Sequence, residues 1–112
     1  MAISYEEVRS EQVPVADTLQ FTVQVGTTAE ITYSRMVNES TSHQTFSFFT
    51  PNPTAAAGDT NVAIDTKTVL AGKTDLMPEL LGSRYDAGTV FRTTASDGSS
   101  FNMHISLMIR TI

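Results

Sequence analysis

From residue 18 onward, apolar and polar side chains take turns. Leu19, Phe21, Val23 and Val25 alternate with Thr18, Gln20, Thr22 and Gln24, the period of two expected of a strand with one buried face. Gly26-Thr27-Thr28 then turns the chain. A second strand is expected over residues 29–38, with Ile31, Tyr33 and Val37 on one face and Arg35 interrupting them at a strand end or rim. Polar residues 38–42 make the next loop. A third strand over 43–50 places Phe46 and Phe48 on one face and Phe49 on the other, and Pro51-Asn52-Pro53 stops it because proline donates no ladder hydrogen bond. Residues 54–60, with three alanines and a glycine, read as a loop.

A fourth strand over 61–70 continues Val62 and Ile64 into Thr66 and Thr68, and Ala71-Gly72-Lys73 reverses the chain. Leu76, Met77, Leu80 and Leu81 surround Pro78, which suits an edge strand or an irregular crossing. Asp86-Ala87-Gly88 leads into a strand over 89–95, and Ser96-Asp97-Gly98-Ser99 has the chemistry of a primed hairpin turn. The last strand is the most regular: Phe101, Met103, Ile105, Leu107 and Ile109 alternate with Asn102, His104, Ser106 and a later Arg110. Before all this, Ser4 and Glu7 have capping-box spacing, yet no helical apolar stripe follows before Pro14. Residues 1–17 therefore read as an N-terminal arm or edge strand first and a short helix second. Residues 18–112 read as one all-β domain, a single antiparallel β-sandwich of jelly-roll-like or Ig-like type.

Composition narrows the function. A chain of 112 residues, 40% hydrophobic and 17% charged, suits one ordinary globular domain. With seven Lys and Arg against twelve Asp and Glu, it offers little for counterion release, so no nucleic-acid partner is expected. No run approaches the roughly 18 apolar residues of a membrane span, and residues 1–7 lack the basic start and apolar stretch of a secretory signal, which points to synthesis in a cytoplasm and no membrane partner. The absence of cysteine removes thiolate chemistry and suits a reducing compartment.

The remaining chemistry is sparse. His43 and His104 do not form the three- or four-ligand group a zinc site needs. The serines lack a G-x-S-x-G elbow. Asp59, Asp65, Asp75, Asp86 and Asp97 fall in or near turns, where aspartate bonds local amides. The glutamates Glu6, Glu7, Glu11, Glu30, Glu39 and Glu79 define no acid and base pair, and Gly26, Gly72, Gly82 and Gly88 sit at turns without a phosphate-cradling motif. Asn38-Glu39-Ser40 matches a glycosylation sequon, for which chance is the better reading in a chain without a secretory signal. No catalytic residue, metal or cofactor is expected, and the chain is read as a binding or covering protein rather than an enzyme.

The succession Phe21-Thr22-Val23-Gln24-Val25-Gly26, Ala29-Glu30-Ile31-Thr32-Tyr33, Met36-Val37-Asn38 and Thr45-Phe46-Ser47-Phe48-Phe49 resembles small β-sandwich virion proteins of tailed bacteriophages. The likeness continues through residues 65–70, 76–81 and 85–96 to the final strand. The resemblance implies a head decoration, or cement, protein that lies on the capsid exterior and binds the major capsid protein, and related sandwiches occur in tails, necks and fibres. A homo-oligomer is expected, with a trimer favoured because it suits local threefold positions. Candidate contact residues are Tyr5, Val8, Val13, Phe49 and Leu81, chosen as apolar side chains in arm, opposite-face or edge positions. A carbohydrate-binding adhesin module is the alternative from another class.

Overall fold

The strand with the cleanest alternation forms the spine of the molecule. In a computed structural model that describes residues 2–51 and 61–112, β9 (Phe101–Thr111) buries Phe101, Met103, Ile105 and Leu107 completely and turns the residues between them outward. It lies between β1 (Ile3–Ser10) and β3 (Thr27–Asn38), antiparallel to both, and β3 is flanked on its far side by β6 (Thr74–Asp75) and β7 (Arg84–Tyr85). We call this sheet A. Sheet B has the order β2 (Thr18–Thr22), β8 (Val90–Ala95), β4 (Gln44–Phe49), β5 (Val62–Val69), again antiparallel throughout. Six of the eight connections between these strands pass from one sheet to the other. With β6 and β7 taken as two pieces of one interrupted strand, that order is the jelly-roll form of the β-sandwich.

The inner faces pack side chains from both sheets. Phe46 of β4 meets Phe101 of β9 edge-on, with ring centroids 5.5 Å apart, and so joins the two layers. Phe91 of β8 contacts Phe48, Phe21 and Tyr85 at 5.6, 5.7 and 5.0 Å. Offset and edge-to-face pairs of this kind add to the burial of large apolar surface. Tyr85 is partly buried, and this desolvation pushes its phenol above its ordinary pKa despite a hydrogen bond with Ser83.

Bulges re-aim several side chains that strict alternation places elsewhere. In β3 the register slips between Ile31 and Tyr33, so Ser34, Met36 and Asn38 continue the buried face begun by Ala29 and Ile31. Tyr33 and Val37 therefore lie on the outer face rather than beside Ile31, and Arg35 is an ordinary outward residue in mid-strand. In β2 the slip between Leu19 and Phe21 turns Leu19 to solvent. Val23 is buried, but Val25 is 93% exposed beyond the strand end. In β5, Thr66 adopts φ 46° and its N–H donates to Ser47 Oγ at 2.9 Å, after which Val69, not Thr66 or Thr68, returns to the core. One extra residue reverses the facing of all that follow it, because the side-chain period is two.

The turn at 96–99 also differs from expectation. Its flanking strands lie in different sheets, so it is an arch across the sandwich rather than a hairpin, and Gly98 does not have the positive φ of a primed turn. Asp97 Oδ1 instead accepts hydrogen bonds from the Ser99 N–H and hydroxyl, both at 3.1 Å. The backbone bond from Ser99 is the main reason its carboxyl sits below the ordinary value of 3.8. Residues 76–83 form the irregular crossing along β3. Met77 and Leu80 point inward, Leu76 and Leu81 outward, and Ser34 Oγ donates to the Leu76 carbonyl at 2.7 Å. At the flank, Lys67 of β5 reaches Asp75 of β6 and Glu79 at 3.0 and 2.9 Å, joining the two sheet edges. Burial opposes the Lys67 charge, but its bonds to Glu79 and Asp75 outweigh that and raise its pKa. The expected loop at 54–60, with Asp59, lies outside the described residues.

Asn38 closes β3 with a fully buried amide. Its Nδ2 donates to the Ser42 and Val69 carbonyls, both at 2.9 Å, while Oδ1 accepts from the Ser40 N–H and hydroxyl. This geometry gives the sequon asparagine a structural role and leaves its nitrogen inaccessible in the folded chain. Asn38→Ala is expected to lower stability by about 2–3 kcal/mol, because it strands the buried Val69 carbonyl as well as losing the loop bonds. Urea denaturation checks this, and a loss under about 0.5 kcal/mol would show that the network is dispensable.

Candidate docking face

The outer face of sheet A carries the polar side chains of the two longest strands. Register fixes its layout. Arg9, His104 and Arg35 stand directly opposite one another across β1, β9 and β3; the next row holds Glu7, Ser106 and Tyr33. Beyond them come Tyr5 beside Met108 and Glu30, then Ile3 beside Arg110 and Thr28. Arg84 of β7 adjoins Glu30 and pairs with it at 2.9 Å. A shallow cleft lined by Glu11, Gln12, Glu39 and Asn102 forms an acidic rim at one end.

Charge is distributed unevenly. Arg9, Arg35, Arg84 and Arg110 are four of the seven Lys and Arg, whereas Glu7 and Glu30 are only two of the twelve acidic residues. Most cations elsewhere are committed, Lys67 to Asp75 and Glu79, and Arg92 to Asp17 at 2.8 Å. Arg35 and Arg110 each hold a buried Nε that has no acceptor among the described residues. Two tyrosines are interleaved with the arginines, Tyr5 at 73% and Tyr33 at 40% exposure. The Tyr33 ring lies edge-on to the His104 imidazole with centroids 5.4 Å apart.

Glu7 is the hub of the face. Its Oε2 accepts a short hydrogen bond from Ser106 Oγ and lies 3.1 Å from His104 Nε2. Ser106 and His104 thus meet the same carboxylate oxygen. A serine nucleophile needs the imidazole between hydroxyl and carboxylate, so the arrangement orders the surface rather than activating Ser106. The bond from Ser106, then that from His104, holds the Glu7 carboxyl below its ordinary 4.5. A carboxyl lowered in the folded state stabilises it above the unfolded pKa and loses that contribution as pH falls through the folded value. Thermal midpoints of the wild type are therefore expected to decline more steeply below pH 4.5 than those of Glu7→Gln. Parallel curves would show that Glu7 does not couple to folding.

Among the described residues, no strand pairs with the edge beside this face. β1 is terminal in sheet A and pairs with β9 without a bulge. The Thr111 N–H donates to the Ala2 carbonyl at 2.9 Å. Since antiparallel bonds alternate, even-numbered residues of β1 bond to β9, and Ile3, Tyr5, Glu7 and Arg9 turn their N–H and C=O groups toward solvent. The edges of sheet B, by contrast, are bulged in β2 and β5, one of the devices that discourage strand addition.

The five contact residues expected from sequence do not converge. Tyr5 belongs to this face. Val8 and Val13 are buried in the core, because residues 3–10 form an integral edge strand and the Val13 N–H donates to the Phe101 carbonyl at 3.0 Å. This removes both as exposed contacts. Phe49 is half-buried in sheet B, and Leu81 is exposed along the opposite side of sheet A. Arg9, Arg35 and Arg110, which the structure gathers on this face, are not among the five. The polar half of the β9 alternation was a signal for the face, but the bulge that brings Tyr33 and Arg35 onto it left no mark in the sequence. No family model, curated protein or solved structure matches the chain.

Proposed function

We propose that this chain is a structural protein that works by surface contact, a head decoration protein that binds the major capsid shell of a tailed bacteriophage through sheet A. The observation that carries the reading is the gathering of uncommitted arginines and exposed tyrosines on one broad face beside an open strand edge. Tyrosine, arginine and methionine are enriched where proteins meet, and an open edge accepts a neighbouring strand through main-chain bonds. The jelly-roll order is compatible, since such sandwiches recur in capsid proteins, although fold likeness alone carries no function. The chain is taken to form a homo-oligomer, with a trimer favoured. Many weak contacts on a repeating shell sum to firm attachment.

Cryo-electron microscopy of virions whose genome encodes the chain tests the proposal. Density for the sandwich on the head, with sheet A toward the shell, is the expected result. Its absence from the head overturns the reading, and density on the tail, neck or fibre replaces it with the related structural role. Tyr5 and Tyr33 also give a carbohydrate-binding module a specific foothold, and a glycan array with concentration-dependent binding abolished by Tyr33→Ala would favour that alternative.

A further inference from the structure

We propose that the surface received by sheet A is an acidic protein surface whose carboxylates dock on the row Arg9, His104 and Arg35. This rests on the docking role of sheet A and names the chemistry of its partner. Like charges placed directly opposite on neighbouring strands repel, and here a histidine separates two arginines across three strands. Glu7, in the neighbouring row, feels the Arg9 charge only at a distance, because its hydrogen bonds go to His104 and Ser106. Neither Arg9 nor Arg35 makes an ion pair or side-chain hydrogen bond among the described residues, and the buried Arg35 Nε lacks an acceptor. A partner carboxylate supplies the compensating charge, in the planar geometry that guanidinium recognises best.

The surroundings favour a protein over another polyanion. Tyr5, Tyr33, Met108 and Ile3 are interleaved with the arginines, which gives apolar area between the charges. The chain as a whole carries a net charge of −5, and Glu11 and Glu39 border the row. An extended phosphate backbone would run from the basic face onto these acidic margins. A protein partner needs to present its carboxylates at the row only.

The test uses the full ¹⁵N-labelled chain, titrated with a short oligoglutamate peptide, a matched oligolysine peptide and a single-stranded oligothymidylate. Oligoglutamate is expected to shift the Nε–H signals of Arg9 and Arg35 and the backbone amide of His104. Arg9→Gln with Arg35→Gln, the pair checked for an unaltered melting midpoint because Arg35 is only partly exposed, is expected to weaken binding about tenfold or more. Salt near 1 M, where the screening length falls to about 3 Å, should abolish it. Shifts located elsewhere, or none, overturn the proposal. Tighter binding of oligothymidylate at the same row overturns it in favour of nucleic acid. Decoration of heads by an Arg9→Glu, Arg35→Glu variant at wild-type occupancy would leave the decoration reading standing and remove this one. Failure of the wild type to bind heads while oligoglutamate still titrates the row would do the reverse.

Discussion

Deletion of residues 1–17 is expected to abolish cooperative folding. An arm could be removed at little cost, but β1 pairs with β9 along its whole length. Beyond it, Val13 is 0% exposed and anchored to Phe101 through the main chain. Losing buried Val8 and Val13 removes about 1.5–3 kcal/mol each. The deletion also uncovers one side of β9, where Met103, Ile105 and Leu107 lie, and strips its ladder of partners. Together these losses are comparable with the roughly 5–15 kcal/mol that holds a typical domain together. A thermal melt followed by circular dichroism, with an amide NMR spectrum at room temperature, reads the outcome. Dispersed signals and a melt within a few degrees of wild type would show that the segment is a detachable arm after all.

Phe91→Ala is expected to cost about 3–5 kcal/mol, the range for removing a fully buried aromatic ring. The site has little freedom to collapse. Phe91 touches Phe21 of β2, Phe48 of β4 and Tyr85 of β7, so the cavity is walled by rings held on three separate strands. Phe21→Ala should cost less, because Phe21 is only partly buried at the margin of the core. Urea denaturation separates the two. With a slope of about 1–3 kcal/mol/M, the Phe91 variant should unfold at least about 1 M earlier than wild type. A loss below about 1 kcal/mol would mean that the neighbouring rings refill the space.

The regular elements were legible because their alternation is strong. Phe101 to Ile109 reads as a half-buried strand without help, and Phe46 and Phe48 were placed together on the buried face that they occupy. An edge strand or an irregular crossing was expected around Pro78, and the structure has the crossing. The facing of Tyr33, Val37, Leu19 and Thr68 was not expected, because each lies beside or beyond a bulge whose extra residue looks like any other in the chain. The Asp97-Gly98 turn misled for a related reason: aspartate followed by glycine suits an arch between sheets as well as a hairpin, and turn chemistry is local whereas strand pairing is not.

The candidate face shows the same division. That β9 has a polar side bearing His104, Ser106 and Arg110 is written in the sequence. That Arg9, ninety-five positions earlier, and Arg35 flank His104 is not, since both neighbours come from antiparallel pairing over long separations. By itself, the sequence determined an all-β chain with a double-sided distribution of apolar and polar residues, since side-chain period and turn residues are properties of neighbours along the backbone. Only the tertiary structure decided which strands share a sheet, which residues the bulges turn outward, and where the uncommitted charges gather. Those depend on register between distant segments, which is chosen by the packing of the whole core.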